Sequence, residues 1–218
     1  MGHTHYNELA NDGQTIYATT RSTGQIEEGP PGFSLTLIDD DVVSWKFKEH
    51  GPWPFVMITS PADEKLIIRP ESPNHVVRGI VTVRAKVWGS SPATRVSCSI
   101  NGGEQRPMQF LDGRWRLNWN SSEVPDGTHR LVVTAKTEAN QQSNQESHDE
   151  ISIVVSQTGQ YTPRRGVRLT TRTPSAHTLP KTFLGRNLVL MKKAQRVRGL
   201  RGAPDSGCFP GSSNETLT

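Results

Sequence analysis

From Phe33 the chain alternates apolar and polar side chains, Phe33-Ser34-Leu35-Thr36-Leu37, and it alternates again through Val43-Ser44-Trp45-Lys46-Phe47. A period of two sends successive side chains to opposite faces of an extended strand. The two runs therefore predict a hairpin turning at Asp39-Asp40-Asp41, with Phe33/Leu35/Leu37 sharing one face of their strand and Val43/Trp45/Phe47 one face of theirs. An earlier extended run, Thr15 to Thr20, follows the turn residues Asn11-Asp12-Gly13, and Gly29-Pro30-Pro31-Gly32 separates it from the hairpin. So few apolar groups in residues 1–51 make a weak core, and this segment is not expected to fold well alone.

Pro52-Trp53-Pro54 marks a boundary, and the next hundred residues carry a denser pattern. Phe55 to Thr59 reads as a strand broken at Ser60-Pro61. Val77 to Trp88 reads as one long strand with Val77, Gly79, Val81, Val83, Ala85 and Val87 on its buried face. Thr94 to Ile100 follows, with Val96, Cys98 and Ile100 inward. Asn101-Gly102 and Asp112-Gly113 are hairpin signals, the second joining Met108–Phe110 to Arg114–Trp119. Thr128 to Lys136 and Ile151 to Val155 complete seven short strands, the spacing of a β-sandwich. After residue 156 the periodicity disappears. Only Asn187 to Arg198 has any helical anchoring, and Arg, Gly, Pro, Ser and Thr dominate, so residues 157–218 are expected to be a disordered basic tail.

Charge sharpens this division. Residues 162–218 hold 11 Lys+Arg against Asp205 and Glu215, or +9, whereas the rest holds 14 basic and 19 acidic residues, or −5. The sequence pI of 9.3 thus belongs to the tail. Such a tail binds nucleic acid by counterion release in one reading. The abruptness of the change, against the local consistency of natural sequences, also fits a shift of reading frame. No run approaches the ~18 apolar residues of a membrane helix, and residues 1–5 show no secretory leader; no membrane partner and a cytoplasmic location are expected. Two cysteines of unlike context, Cys98 and Cys208, do not suggest a disulfide framework. Cys98 is expected to be a small buried hydrophobe.

The chemically suggestive cluster is Gly2-His3-Thr4-His5, because imidazole is a common ligand of Zn, Fe and Mn. With Tyr6 to Leu9, Asp12 to Gln25 and Gly29-Pro30-Pro31-Gly32-Phe33, it resembles the end of the catalytic domain of calcineurin-like metallophosphoesterases. The resemblance implies that His3 and His5 are metal ligands, one for each ion of a divalent pair (Mn, Fe or Zn), and that the substrate of the complete enzyme is a phosphoester hydrolysed by a metal-bound hydroxide. The family's upstream motifs, Asp-x-His, Gly-Asp with a bridging Asp, Gly-Asn-His and a further His, are absent from this sequence. Two histidines do not hold a metal pair, so this chain is expected to bind no metal stably, to be inactive alone, and to have the missing upstream catalytic half as its natural partner. No catalytic residue is assigned.

A second resemblance covers the sandwich. Val77-x-Gly79-x-Val81-x-Val83-x-Ala85-x-Val87-Trp88, Val96-x-Cys98-x-Ile100-Asn101-Gly102, Gly113-x-Trp115-x-x-x-Trp119 and Asp126-Gly127-x-His129-x-Leu131-x-Val133-x-Ala135 are similar to bacterial immunoglobulin-like domains, often spacers or accessory modules. The fold expected is therefore mainly β: a metallophosphoesterase β edge over 1–51, an immunoglobulin-like sandwich over 52–156, and the tail. Trp115 and Trp119 share a face at i and i+4, which fits core packing better than a carbohydrate platform. His129 is placed at the core edge, and His50, His75, His148 and His177 in solvent. Asp39-Asp40-Asp41 lacks the spaced oxygens of a calcium loop and is read as a turn.

Overall fold

The computed structural model describes residues 7–21, 30–139 and 143–161. His3, His5, Cys208, His177 and the tail from residue 162 onward lie outside the described residues.

Two hairpins lead into the sandwich. β1 (Glu8–Asn11) pairs antiparallel with β2 (Ile16–Thr19). The Asp12 carboxylate holds their loop by accepting from the amides of Gln14 and Thr15 at 2.9 and 2.7 Å, and Gly13 takes φ +92° there, a conformation glycine adopts without strain. β3 (Gly32–Asp39) pairs with β4 (Val42–Glu49) through the two-residue loop Asp40-Asp41. Each apolar triplet keeps to one face as the period of two requires. The register sets Phe33 opposite Lys48 and Trp45 opposite Thr36, so the two triplets lie on opposite faces of the hairpin. Phe33, Leu35 and Leu37 share theirs with Lys48, Lys46 and Ser44.

The sandwich follows, and nine of the strands among the described residues belong to it. They are β5 (Phe55–Ser60), β6 (Val76–Val77), β7 (Ile80–Trp88), β8 (Ala93–Ile100), β9 (Arg106–Pro107), β10 (Gln109–Leu111), β11 (Arg114–Asn120), β12 (Gly127–Ala139) and β13 (Ser143–Val155). One sheet has the order β10-β11-β7-β5 and the other β6-β13-β12-β8-β9. The first is the A, B, E, D sheet of an immunoglobulin-like sandwich and the second its G, F, C sheet. The first strand is shared: β5 pairs with β7, then the chain crosses over a 3-10 turn (Glu64–Leu66), and β6 runs parallel to β13 in the opposite sheet.

That crossing corrects the expectation of one strand from Val77 to Trp88. Val77 ends β6, Gly79 takes φ +62°, and Ile80 begins β7 in the other sheet. The alternation runs through the break because Val77 and Val81 both point into the same core from opposite sheets. The Asp112-Gly113 signal holds: both residues have positive φ, 50° and 74°, as a twist-matched two-residue hairpin loop requires.

The core between the sheets is built from alternate residues of facing strands: Val56 and Ile58, Val81, Val83 and Ala85, Val96 and Cys98, Leu131, Val133 and Ala135, and Ile153 and Val155, with Trp119 across the middle. A second, smaller cluster joins Val42 of β4 to Ala62, Ile67, Val76 and Val154. His75 sits beside this cluster and is 1% exposed, which overturns its assignment to solvent. Its Nε2 lies 2.9 Å from the Asp41 carbonyl. The Asp40-Asp41 loop docks there, with Asp41 bonded to Asn74 and His75, and neighbouring sequence carries no trace of that. His50 and His148 are exposed as expected.

Candidate functional site

The described residues concentrate their buried charge where the β3–β4 hairpin meets the outer face of the β5-β7-β11-β10 sheet. Asp39 ends β3 and is 3% exposed. One carboxylate oxygen accepts from Thr59 Oγ1 of β5 at 2.6 Å and faces Arg84 Nε of β7 at 3.2 Å. The other accepts from Arg114 Nη1 of β11 at 2.6 Å. One carboxylate therefore touches three adjacent strands. Asp40 adds a bond from Arg84 Nη1 at 2.7 Å. Asp41 accepts from Asn74 Nδ2 at 2.9 Å, and its hydrogen bonds from Asn74 and Ser72 hold its carboxyl below the ordinary value although burial opposes them. The three aspartates form a turn, as expected. Beyond that, two of them make an ionic clasp with two arginines, and their charges balance.

Further along β4, Lys46 Nζ donates to Asp149 of β13 at 2.6 Å and to the Val56 carbonyl at 2.9 Å. Asp149 in turn accepts from the amides of Ile58 at 2.7 Å and Glu150 at 3.0 Å. It thereby ties the two sheets together at their β5/β13 margin. Lys48 is 4% exposed, lies 4.6 Å above the Trp53 ring, and donates to the Glu49 carbonyl. Burial pushes its ammonium below the usual lysine value, with Glu49 opposing. The folded state thus releases this proton more easily than the unfolded chain. The cost of burying the charge is full below the depressed folded pKa and is relieved as pH rises from there toward the ordinary value of about 10.4. Stability is expected to rise with pH across that window in the wild type and not in Lys48→Met, a difference that denaturant unfolding at several alkaline pH values measures.

A cavity of about 140 Å³ lies between Cys98, Ile100, Leu117, Trp119 and Val124. The Arg106–Glu123 ion pair, 2.6 Å, stands at its rim. Burial pushes the Cys98 thiol up to about 12, so no thiolate forms there at neutral pH, and Cys98 is the small buried hydrophobe expected. Trp119 is 2% exposed within the core, and Trp115 is half-buried against it and against Phe110, ring centres 5.3 Å apart. Trp119 presents no surface to a sugar. His129 occupies the core edge as expected, with its ring nitrogens at 2.9 Å from Asn101 Nδ2 and 2.7 Å from the Pro125 carbonyl. Asp41, Ser72 and His75 stand close together, yet His75 binds a backbone carbonyl, which makes them a brace between loops. Among the described residues no group of three or more His, Cys, Asp or Glu could hold a metal ion. The metal-ligand candidates His3 and His5 lie outside those residues.

The alternation in the sequence puts Arg84 on the outward side of its strand and Arg114 with Arg116 on an outward basic face, whereas nothing in it singles out Lys46 or Asp149. The visible signal was the outward row Arg84, Lys86 with Arg114, Arg116, four cations on one face of two neighbouring strands.

This geometry defines an immunoglobulin-like sandwich with an N-terminal hairpin clasped to its outer face. Residues 54–133 match the bacterial Ig domain family, to which this part of the chain is similar. The match stops within β12, and the structure supplies the last strand, β13. The chain is also similar to mouse transmembrane protein 62, 26% identical over 108 residues, which are 49% of this chain and 17% of that protein. No solved structure matches. Among the described residues no helix is long and apolar enough to cross a membrane.

Proposed function

We propose that this chain is the accessory, partner-holding portion of a metal-dependent phosphoesterase, inactive by itself. The observation that carries this reading is the clasp. It seats the Asp39/Lys46 face of the β3–β4 hairpin on the Ig-like sheet, and the opposite face carries Val43, Trp45, Phe47 and Ile38. The first three are half-buried, and Ile38 is 74% exposed. An apolar sheet face left partly open is a place for another polypeptide to pack. The resemblance of residues 2–33 to the end of a metallophosphoesterase catalytic domain names that polypeptide as the upstream catalytic half. His3 and His5 would contribute the last two ligands of its divalent metal pair.

The purified chain is expected not to hydrolyse bis-p-nitrophenyl phosphate with Mn. Mixing with the polypeptide that carries Asp-x-His and Gly-Asn-His is expected to produce hydrolysis that His3→Ala abolishes and Trp45→Ala weakens at least ~10-fold, the loss of about 1.4 kcal/mol of binding. Hydrolysis by the chain alone, lost in His3→Ala, overturns the inactivity. Mixing that yields neither binding nor turnover overturns the partner.

A further inference from the structure

We propose that the β3–β4 hairpin is a strap that opens from the Ig-like sheet as a unit, with the Asp39-Asp40 turn in the Arg84/Arg114 clasp as its catch. This stands independently of the phosphoesterase reading, because it concerns only how the hairpin is held.

The main core is complete without the hairpin: its buried residues all come from Val56 onward. The deeply buried apolar anchor of the strap is Val42, 0% exposed, in the second cluster. Polar attachments sit at distinct places: Asp39 and Asp40 at the turn, with Asp41 beside them on Asn74 and His75, Lys46 on Asp149 midway, and Lys48 over Trp53 near the far end. A two-stranded hairpin is marginal on its own in water, so the strap takes its order from these contacts. Segments with few apolar anchors open at lower free energy than the global transition. Phe55 and Met57, 6% and 1% exposed, lie on the side of β5 opposite the core residues Val56 and Ile58. Lys46 and Lys48 reach over the Phe55 ring at 5.2 and 6.0 Å. Opening therefore uncovers an apolar strip on a finished sheet without disturbing the core. Because the catch is ionic and Arg114 is partly solvated, salt loosens it.

Amide hydrogen exchange on the full chain tests this. Amides of residues 33–48 are expected to exchange at least ~10-fold faster than those of β12. Asp39→Asn and Arg114→Lys are each expected to accelerate residues 33–48 by a further ~10-fold, and 1 M salt to act in the same direction, whereas Val133→Ala, in the main core, is expected to accelerate β12 and leave residues 33–48 unchanged. The milder substitutions keep the side-chain volume, so the sandwich remains folded for the comparison. Acceleration of β3 and β4 together with β12 in Val133→Ala means that there is no separable strap. Unchanged exchange in 33–48 means that Asp39 is not its catch. Either result overturns the proposal.

Discussion

Trp119→Ala is expected to lower the unfolding free energy by about 4 kcal/mol, measured in denaturant, the usual cost of truncating a buried aromatic. Trp119 is among the largest fully buried side chains and lies between Val81 on its neighbouring strand and the Cys98 side of the opposite sheet. Removing the indole enlarges a cavity that already exists beside it, and rigid strands on both sides do not collapse into the space. A domain of this size has about 5–15 kcal/mol in total, so the variant is expected to be close to unfolded at 37 °C. Trp115→Ala, at a half-buried position, is expected to cost roughly half as much. The pair separates a core role from a carbohydrate platform, since a platform tryptophan lost to alanine leaves stability nearly unchanged.

Asp39→Ala is the second large effect, expected at about 3 kcal/mol. The substitution strands Arg114 and the Thr59 hydroxyl on a sheet face that the hairpin still covers and leaves Arg84 with Asp40 alone, and an unpaired buried charge costs more than the pair contributes. Arg114 is about a third exposed, 34% for its side chain, and solvent screening keeps the estimate at the lower end of the range for buried pairs. Asp40→Ala, whose carboxylate is 64% exposed, is expected to cost well under 1 kcal/mol. The contrast between two adjacent aspartates is the signature of one buried carboxylate and one surface ion pair.

Much of the sandwich was legible because its signals are local. Asp112-Gly113 fixes a hairpin by its own backbone preferences, and Val81/Val83/Ala85 announce a buried face by spacing alone. His129 and Cys98 were placed by the apolar neighbours on their own strand. What escaped depends on residues far apart in sequence. The break at Gly79 is hidden because Val77 and Val81 keep the alternation while changing sheets. His75 looks solvated among Ser72, Pro73 and Asn74, yet the distant Asp41 loop packs on it. The Asp39-Asp40-Asp41 run reads as a turn from its composition. Its clasp needs Arg84 and Arg114, which reach Asp39 only after the hairpin has laid itself across β5, β7 and β11. The face-sharing of Val43, Trp45 and Phe47 was evident from the period of two, whereas their separation from Phe33, Leu35 and Leu37 follows from a register set by the two-residue loop.

A double-mutant cycle between Asp39→Asn and Arg114→Ala, read by denaturant unfolding of the full chain, tests the clasp most directly. Contact between a buried carboxylate and its guanidinium predicts a coupling free energy above about 1 kcal/mol, with the double variant less damaged than the sum of the singles. A coupling near zero, with the two losses simply adding, would contradict the clasp.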